Sequence, residues 1–191
     1  MDWRIIEEPI ARLADHARVP IAFLVDRRLE VDSIPPRPRG FAWREVEVDR
    51  PFLKDYDAID GEGPTRWAET WDVTRWGLIS AFVGDDRVGG AVLAFDTAGL
   101  DMLEGRKELA VLWDIRIDPR YRRLGLGQSL FQASEDWARV RGCREIKVET
   151  QDINVAACRL YYHRGCELRS INRLAYPDFP DEIQLLWYKS L

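Results

Sequence analysis

The chain has 191 residues, 46% of them hydrophobic and 32% charged, with 28 Lys and Arg against 33 Asp and Glu for a net charge of −5. That length suits one domain, or one domain with an arm, and buries roughly 70% of the unfolded surface, enough for a core that needs no disulfide or metal. The acidic balance excludes a general nucleic-acid binder, which needs a basic field, and the composition excludes wholesale disorder.

Residues 1–40 are mixed and read as an N-terminal extension or first strand region ahead of a domain spanning 41–191. Within them, residues 19–25 form a short apolar run, suited to a strand or a buried helical turn. Pro35, Pro36, Pro38 and Gly40 then make a stiff, extended connector. Residues 41–48 alternate Trp43, Val46 and Val48 with Arg44, Glu45 and Glu47, which predicts a strand. Residues 55–64 are acidic and turn-rich, and Thr65 is placed to cap a helix running through Trp71 and beyond. The apolar runs 77–83 and 88–95, joined by Gly84, Asp85, Asp86 and Arg87, predict a hairpin. Residues 109–117 predict another strand, with Trp113, Ile115 and Ile117 at alternate positions.

Beyond that point the period changes. Leu124, Leu130, Phe131, Ala133, Ser134 and Trp137 fall at helical spacing, with Gly142 placed as a C-terminal cap. Residues 145–150 predict a strand, and 155–164 a helix that Asn154 caps and Gly165 stops. Residues 167–174 and 183–189 predict two closing strands. The succession of strands and helices from residue 109 onward predicts an α/β layered domain with a mixed sheet.

Cys143, Cys158 and Cys166 include no CxxC pair and read as free thiols in a reducing, cytoplasmic setting. The first residues lack the basic-then-apolar leader pattern, and no stretch approaches the roughly 20 apolar residues of a membrane span. No metal, nucleic-acid or membrane partner is expected, and a homodimer is left open.

The chemically informative segment runs Asp118, Pro119, Arg120, Tyr121, Arg122, Arg123, Leu124, Gly125, Leu126, Gly127. A strand ends in Asp118 and Pro119, a basic loop follows, and a helix opens at Gly125 or Gly127. Glycines let backbone N–H groups approach an anion, the helix start adds unpaired donors and the positive end of its dipole, and guanidinium groups suit phosphate oxygens. The segment therefore reads as a pyrophosphate cradle; the bland alternative is a Gly-capped turn with a solvated basic face. A P-loop would need Gly-Lys-Ser or Gly-Lys-Thr, and a dinucleotide fingerprint would need a third glycine where Leu130 stands.

Arg122, Gly125 and Gly127, followed by Asn154, Ala157, Tyr161 and Gly165, resemble the two signatures of the GNAT N-acetyltransferase superfamily, over about residues 41–191. Cys166 departs from the Phe usual after that last glycine, a matter of packing. The run from Glu149 to Cys158, the run from Asp181 to Tyr188 and the run from Pro51 to Asp57 are similar to streptothricin acetyltransferases. The resemblance implies a central, mostly antiparallel twisted sheet flanked by helices, with splayed central strands. It implies acetyl-CoA as co-substrate and transfer of acetyl to a primary amine, as in antibiotic resistance. It also implies that Ile115, Arg116 and Ile117 present backbone groups to the pantetheine arm. Arg122, Arg123, Leu124, Gly125, Leu126, Gly127 and Gln128 would hold the pyrophosphate, Asn154 and Ala157 would lie near the arm, and Tyr161 would sit near the thioester sulfur.

A departing thiolate gains from a proton donor within reach, which gives Tyr161 a catalytic part; its structural alternative is a core aromatic. The attacking amine must be neutral, and a lysine-like amine at pH 7 is short of that by roughly 4–5 kcal/mol. Two acids could close the gap. Asp114 and Glu149 alternate with the apolar residues of their strands, so both are expected away from the apolar layer, as base or as cation contact. Asp152 is a third acid, placed for substrate contact or for help in capping the helix after Asn154. Trp67 and Trp71, at i and i+4 with Glu69 and Asp72 nearby, could stack on a cationic substrate or pack as a lid on the sheet. His163 reads as surface, and His16 is uninformative. Besides a small-molecule N-acetyltransferase, two readings stay open: a protein N-terminal or lysine acetyltransferase, and a CoA-binding module without turnover.

Overall fold

The computed structural model describes residues 2–31 and 43–191. The strands are β1 (Arg4–Glu8), β2 (Phe23–Val31), β3 (Trp43–Lys54), β4 (Gly77–Val83), β5 (Asp86–Ala94), β6 (Leu109–Ile117), β7 (Glu145–Gln151), β8 (Glu167–Asn172) and β9 (Gln184–Ser190). The helices are α1 (Leu13–His16), α2 (Trp67–Thr70), α3 (Leu126–Val140) and α4 (Val155–His163). The fold is mixed α/β with a large, mostly antiparallel sheet flanked by helices, and every pairing whose register is described is antiparallel. By internal contacts the chain divides into two compact units, each discontinuous in sequence. Met1–Ala22, Asp55–Ile146 and Ser190–Leu191 form the first; Phe23–Lys54 and Lys147–Lys189 form the second.

In the first unit the strands run in the order β1-β4-β5-β6. The hairpin between β4 and β5 is the predicted one: Val83 pairs with Asp86, leaving Gly84 and Asp85 as a two-residue turn with Gly84 at φ +59°. In the next pairing Val92 faces Asp114 and Leu93 faces Leu112, so Trp113 is an extra residue that bulges from β6. Helix α3 buries Leu126, Leu130, Phe131, Ser134, Trp137 and Ala138, a single stripe at helical spacing. Gly77 on β4 makes room for it, since a side chain there would collide with the Trp137 indole.

Three sequence expectations in this unit are corrected. The helix predicted from Thr65 is a single turn, entered through Arg66 without a side-chain cap and ended by an extended Trp71. Trp67, 9% exposed, packs in a core cluster with Leu13, Trp76, Leu78, Val92 and Val111, and Trp71 leans on that cluster. The hydrophobic gain of burying such large rings explains why they form a lid on the sheet rather than a stacking surface for a cation. On β6 the parity is opposite to expectation: Asp114 and Arg116 are buried, while Trp113, Ile115 and Ile117 are half-buried.

In the second unit β2 pairs with β3, and the other strands run β7-β9-β8. Trp187 on β9 is fully buried, donates from Nε1 to Thr150 Oγ1 at 2.9 Å and meets Trp43 edge-on at 5.9 Å between ring centroids. Residues 19–25 are split between the turn after α1 and the start of β2, and β3 runs six residues past the predicted strand end. The proline connector lies outside the described residues. No helix among the described residues is long and apolar enough to cross a membrane.

Candidate active site

The predicted cradle lies in the first unit, between β6 and α3. Asp118 accepts from the backbone N–H of Arg120 at 2.9 Å and also grips its guanidinium, which fixes the turn after the strand. Arg123 (φ +64°) and Gly125 (φ +96°) both take the left-handed conformation, an uncommon one for arginine and ordinary for glycine. Helix α3 starts at Leu126 with Gly125 as its N-cap and no side-chain cap. Its first-turn N–H groups are thus left for an outside acceptor, where the dipole also favours an anion. The nearest atom to a side chain built at Gly125 is Cη2 of Trp3, at 3.8 Å, so the approach to these donors stays open.

The three arginines of the loop divide differently from the expectation that their charges face phosphate. Arg120 is paired with Asp118. Arg122 turns inward: Nε donates to the Ile117 carbonyl at 2.9 Å, Nη1 to that of Ala22 at 2.9 Å and Nη2 to that of Pro20 at 3.1 Å. Burial lowers its pKa from the ordinary arginine value. Its guanidinium braces the loop, and Arg123 remains exposed with no ion-pair partner among the described residues. The backbone donors and Arg123 are thus the groups of this loop left open to an outside anion.

Asp114 belongs to a network of four charged or polar side chains, buried except at Asp57. It contacts His16 Nε2 at 2.8 Å and accepts from Arg116 Nε at 3.0 Å and Nη2 at 2.7 Å. Arg116 continues to Asp57 at 2.7 and 3.1 Å and to the Val19 carbonyl at 3.2 Å. Burial pushes the Asp114 carboxyl up, but the hydrogen bonds and charges of His16 and Arg116 outweigh it and hold the group well below the usual carboxylate range. A group so placed gives up its anionic form with difficulty, which is contrary to what a general base needs. His16 is fully buried, and its Nδ1 has no hydrogen-bond partner among the described residues. The ring lies so close to β5 that a side chain at Gly90 would stand 2.7 Å from that nitrogen.

Glu149, on β7 in the second unit, is half-buried, and its partners among the described residues are neutral. Tyr176 donates its hydroxyl to Oε1 at 2.7 Å, and Gln184 donates Nε2 to Oε2 at 2.8 Å. Asn154 caps α4 as expected, its Oδ1 accepting from the Ala157 N–H at 3.2 Å. Tyr161 is 2% exposed and shares the buried face of α4 with Cys158, whose thiol burial pushes up to about 12. Asp152 is fully buried, bound by Arg28 at 2.6 and 2.9 Å and by the Ile183 N–H at 2.8 Å. It ties β7 to the start of β9 and is closed to a substrate; it takes no part in capping α4, which Asn154 does alone. His16, Tyr176 and Gln184 carry no local sign among their sequence neighbours, because their roles depend on contacts remote in the chain. No group of side chains among the described residues could hold a metal ion.

The acetyltransferase (GNAT) family pattern matches residues 38–166, more than half of the chain and including the whole cradle. The chain belongs to the GNAT acetyltransferase family. It is an N-acetyltransferase of that family, whose members use acetyl-CoA. Streptothricin acetyltransferase A of Bacillus subtilis is 32% identical over 81 residues, spanning 41% of this chain and 47% of that protein. Streptothricin acetyltransferase of Escherichia coli is 33% identical over 162 residues, 83% of this chain and 82% of that one. A candidate streptothricin acetyltransferase of Bacillus anthracis, solved with acetyl coenzyme A, shares the fold over the whole of both chains, with a TM-score of 0.76 at 23% identity.

Proposed function

We propose that this acetyltransferase moves an acetyl group from acetyl-CoA to a primary amine of a small cationic molecule of the streptothricin type. The observation that carries this reading is the 33% identity to the E. coli enzyme, sustained over 82% of its length. A likeness confined to the cofactor loop would suit any acceptor.

In this reading the backbone donors of residues 123–128, with Arg123, hold the pyrophosphate, and Ile115, Arg116 and Ile117 offer backbone groups to the pantetheine arm. Acetyl-CoA supplies the thioester carbonyl that the amine attacks. A C–N bond forms, the C–S bond breaks, and Tyr161 protonates the departing thiolate. Glu149 is the acid that meets the substrate ammonium, orienting it and taking its proton directly or through water. Asp114 keeps β6 and the Asp57 loop in place and does not meet the amine.

Thiol release from acetyl-CoA is the test, with a streptothricin mixture, lysine, a polyamine and peptides offered as acceptors. The streptothricin mixture should give the highest kcat/KM and a product heavier by one acetyl group. Turnover with peptides alone would overturn the substrate class. Tyr161→Phe should lower kcat by roughly 10²–10⁴ with acetyl-CoA affinity little changed; an unchanged, chemistry-limited rate would leave Tyr161 a packing residue.

A further inference from the structure

Tyr176 lies in the segment 173–183 that joins β8 to β9, in the second unit. Its hydroxyl bridges two residues of β7: it accepts from Gln151 Nε2 at 2.8 Å and donates to Glu149 Oε1 at 2.7 Å. The direction of donation follows from the chemistry. An amide NH₂ offers only protons, so the phenol oxygen accepts there and its single proton goes to the carboxylate. With Gln184 on Oε2, both oxygens of Glu149 are held by neutral donors. A carboxylate oxygen has two lone-pair directions, so each retains one for a further partner.

The segment carrying Tyr176 is fastened along its length. Arg173 Nη2 donates to the Val31 carbonyl at 2.6 Å, Arg28 donates to the Asp181 carbonyl, and the Ile183 N–H donates to Asp152. Lys54 forms an ion pair with Glu182 and lies 3.7 Å above the Phe179 ring. A side chain on such a support can fix a neighbour's rotamer, and orientation of a reacting group is worth more than its mere presence.

We propose that Tyr176 is a positioning residue: its hydrogen bond holds the Glu149 carboxylate in the one orientation that receives the substrate ammonium. This rests on the reading of Glu149 as the acid that meets the amine.

The experiment is a double-mutant cycle on the full chain with acetyl-CoA and a streptothricin mixture, using Tyr176→Phe, Glu149→Gln and both together. Tyr176→Phe should raise the amine KM by about tenfold, the scale of a hydrogen bond to a charged group. The KM for acetyl-CoA and the melting temperature should stay at wild-type values. In the Glu149→Gln background, Tyr176→Phe should add nothing beyond about twofold. Wild-type kinetics in Tyr176→Phe would overturn the proposal, and so would losses that simply multiply in the double variant, with or without a lowered melting temperature. Wild-type kinetics in Glu149→Gln would instead overturn the reading beneath it, so the two failures are distinguishable.

Discussion

Asp114 and Glu149 are both acids on strands, yet their surroundings oppose each other. Asp114 is 8% exposed and closed in by Arg116 and His16. Glu149 is half-buried and touched by a phenol and an amide. Charged partners turn a buried carboxylate into a structural element, because breaking the pair would strand a charge out of water. Neutral partners orient a carboxylate and leave its charge uncompensated, ready for a cation from outside. A candidate acid is therefore judged by what neutralises it, with position on the strand a poorer guide.

Three measurements would break or sharpen this contrast. The largest effect is expected at the closed site. Asp114→Asn should cost about 3–5 kcal/mol of stability by stranding Arg116 and His16, read as the shift in denaturant midpoint. Rates measured below the melting transition should stay close to wild type. The Asp114 pKa is depressed by folding, so the stability it contributes is full above about pH 4 and fades as acid approaches its folded pKa. The gap between wild type and variant should narrow on acidification, and a gap that is constant between pH 7 and pH 2.5 would remove the electrostatic account.

Next comes Glu149→Gln, expected to lower kcat/KM by roughly 10²-fold with an unchanged denaturant midpoint. A stability loss with normal kinetics would make the two acids alike and dissolve the contrast. The smallest effect is expected from Gly90→Ala. The new methyl would press on His16 Nδ1 and on the Ile79 carbonyl, 2.9 Å away, for a loss of about 1–3 kcal/mol. An unchanged midpoint would show that the His16 end of the network yields easily.

What could be read from the residues follows a physical divide. The hairpin at Gly84, the start of α3 at Gly125 and the Asn154 cap were legible because each depends on a few adjacent residues. The single-turn α2 was misjudged because its tryptophans answer to a core built from distant strands. The inward turn of the Arg122 guanidinium is illegible for a similar reason, since the carbonyls of Pro20 and Ala22 lie about a hundred positions away. One such contact does leave a local sign: Asp114 and Arg116 stand two apart on a strand, hence on one face, where opposite charges pair. Tyr176 had no such local sign; only the return of the 173–183 segment to β7 brings it to Glu149.

The interleaving of the two units has a consequence for synthesis on the ribosome. Arg28 is made 124 residues before Asp152, its partner, and at about 5–20 residues per second the wait is about 6–25 s. During that time β2 lacks Asp152 and leans on β3, and a two-stranded ribbon is marginal by itself. Their exposed apolar pair, Leu24 opposite Leu53, is then open to other nascent chains. All the residues of β1, β4, β5 and β6 are made by residue 117, so these strands can pair early. A holdase that covers the ribbon should therefore raise the soluble yield, and slower translation, which lengthens the wait, should lower it.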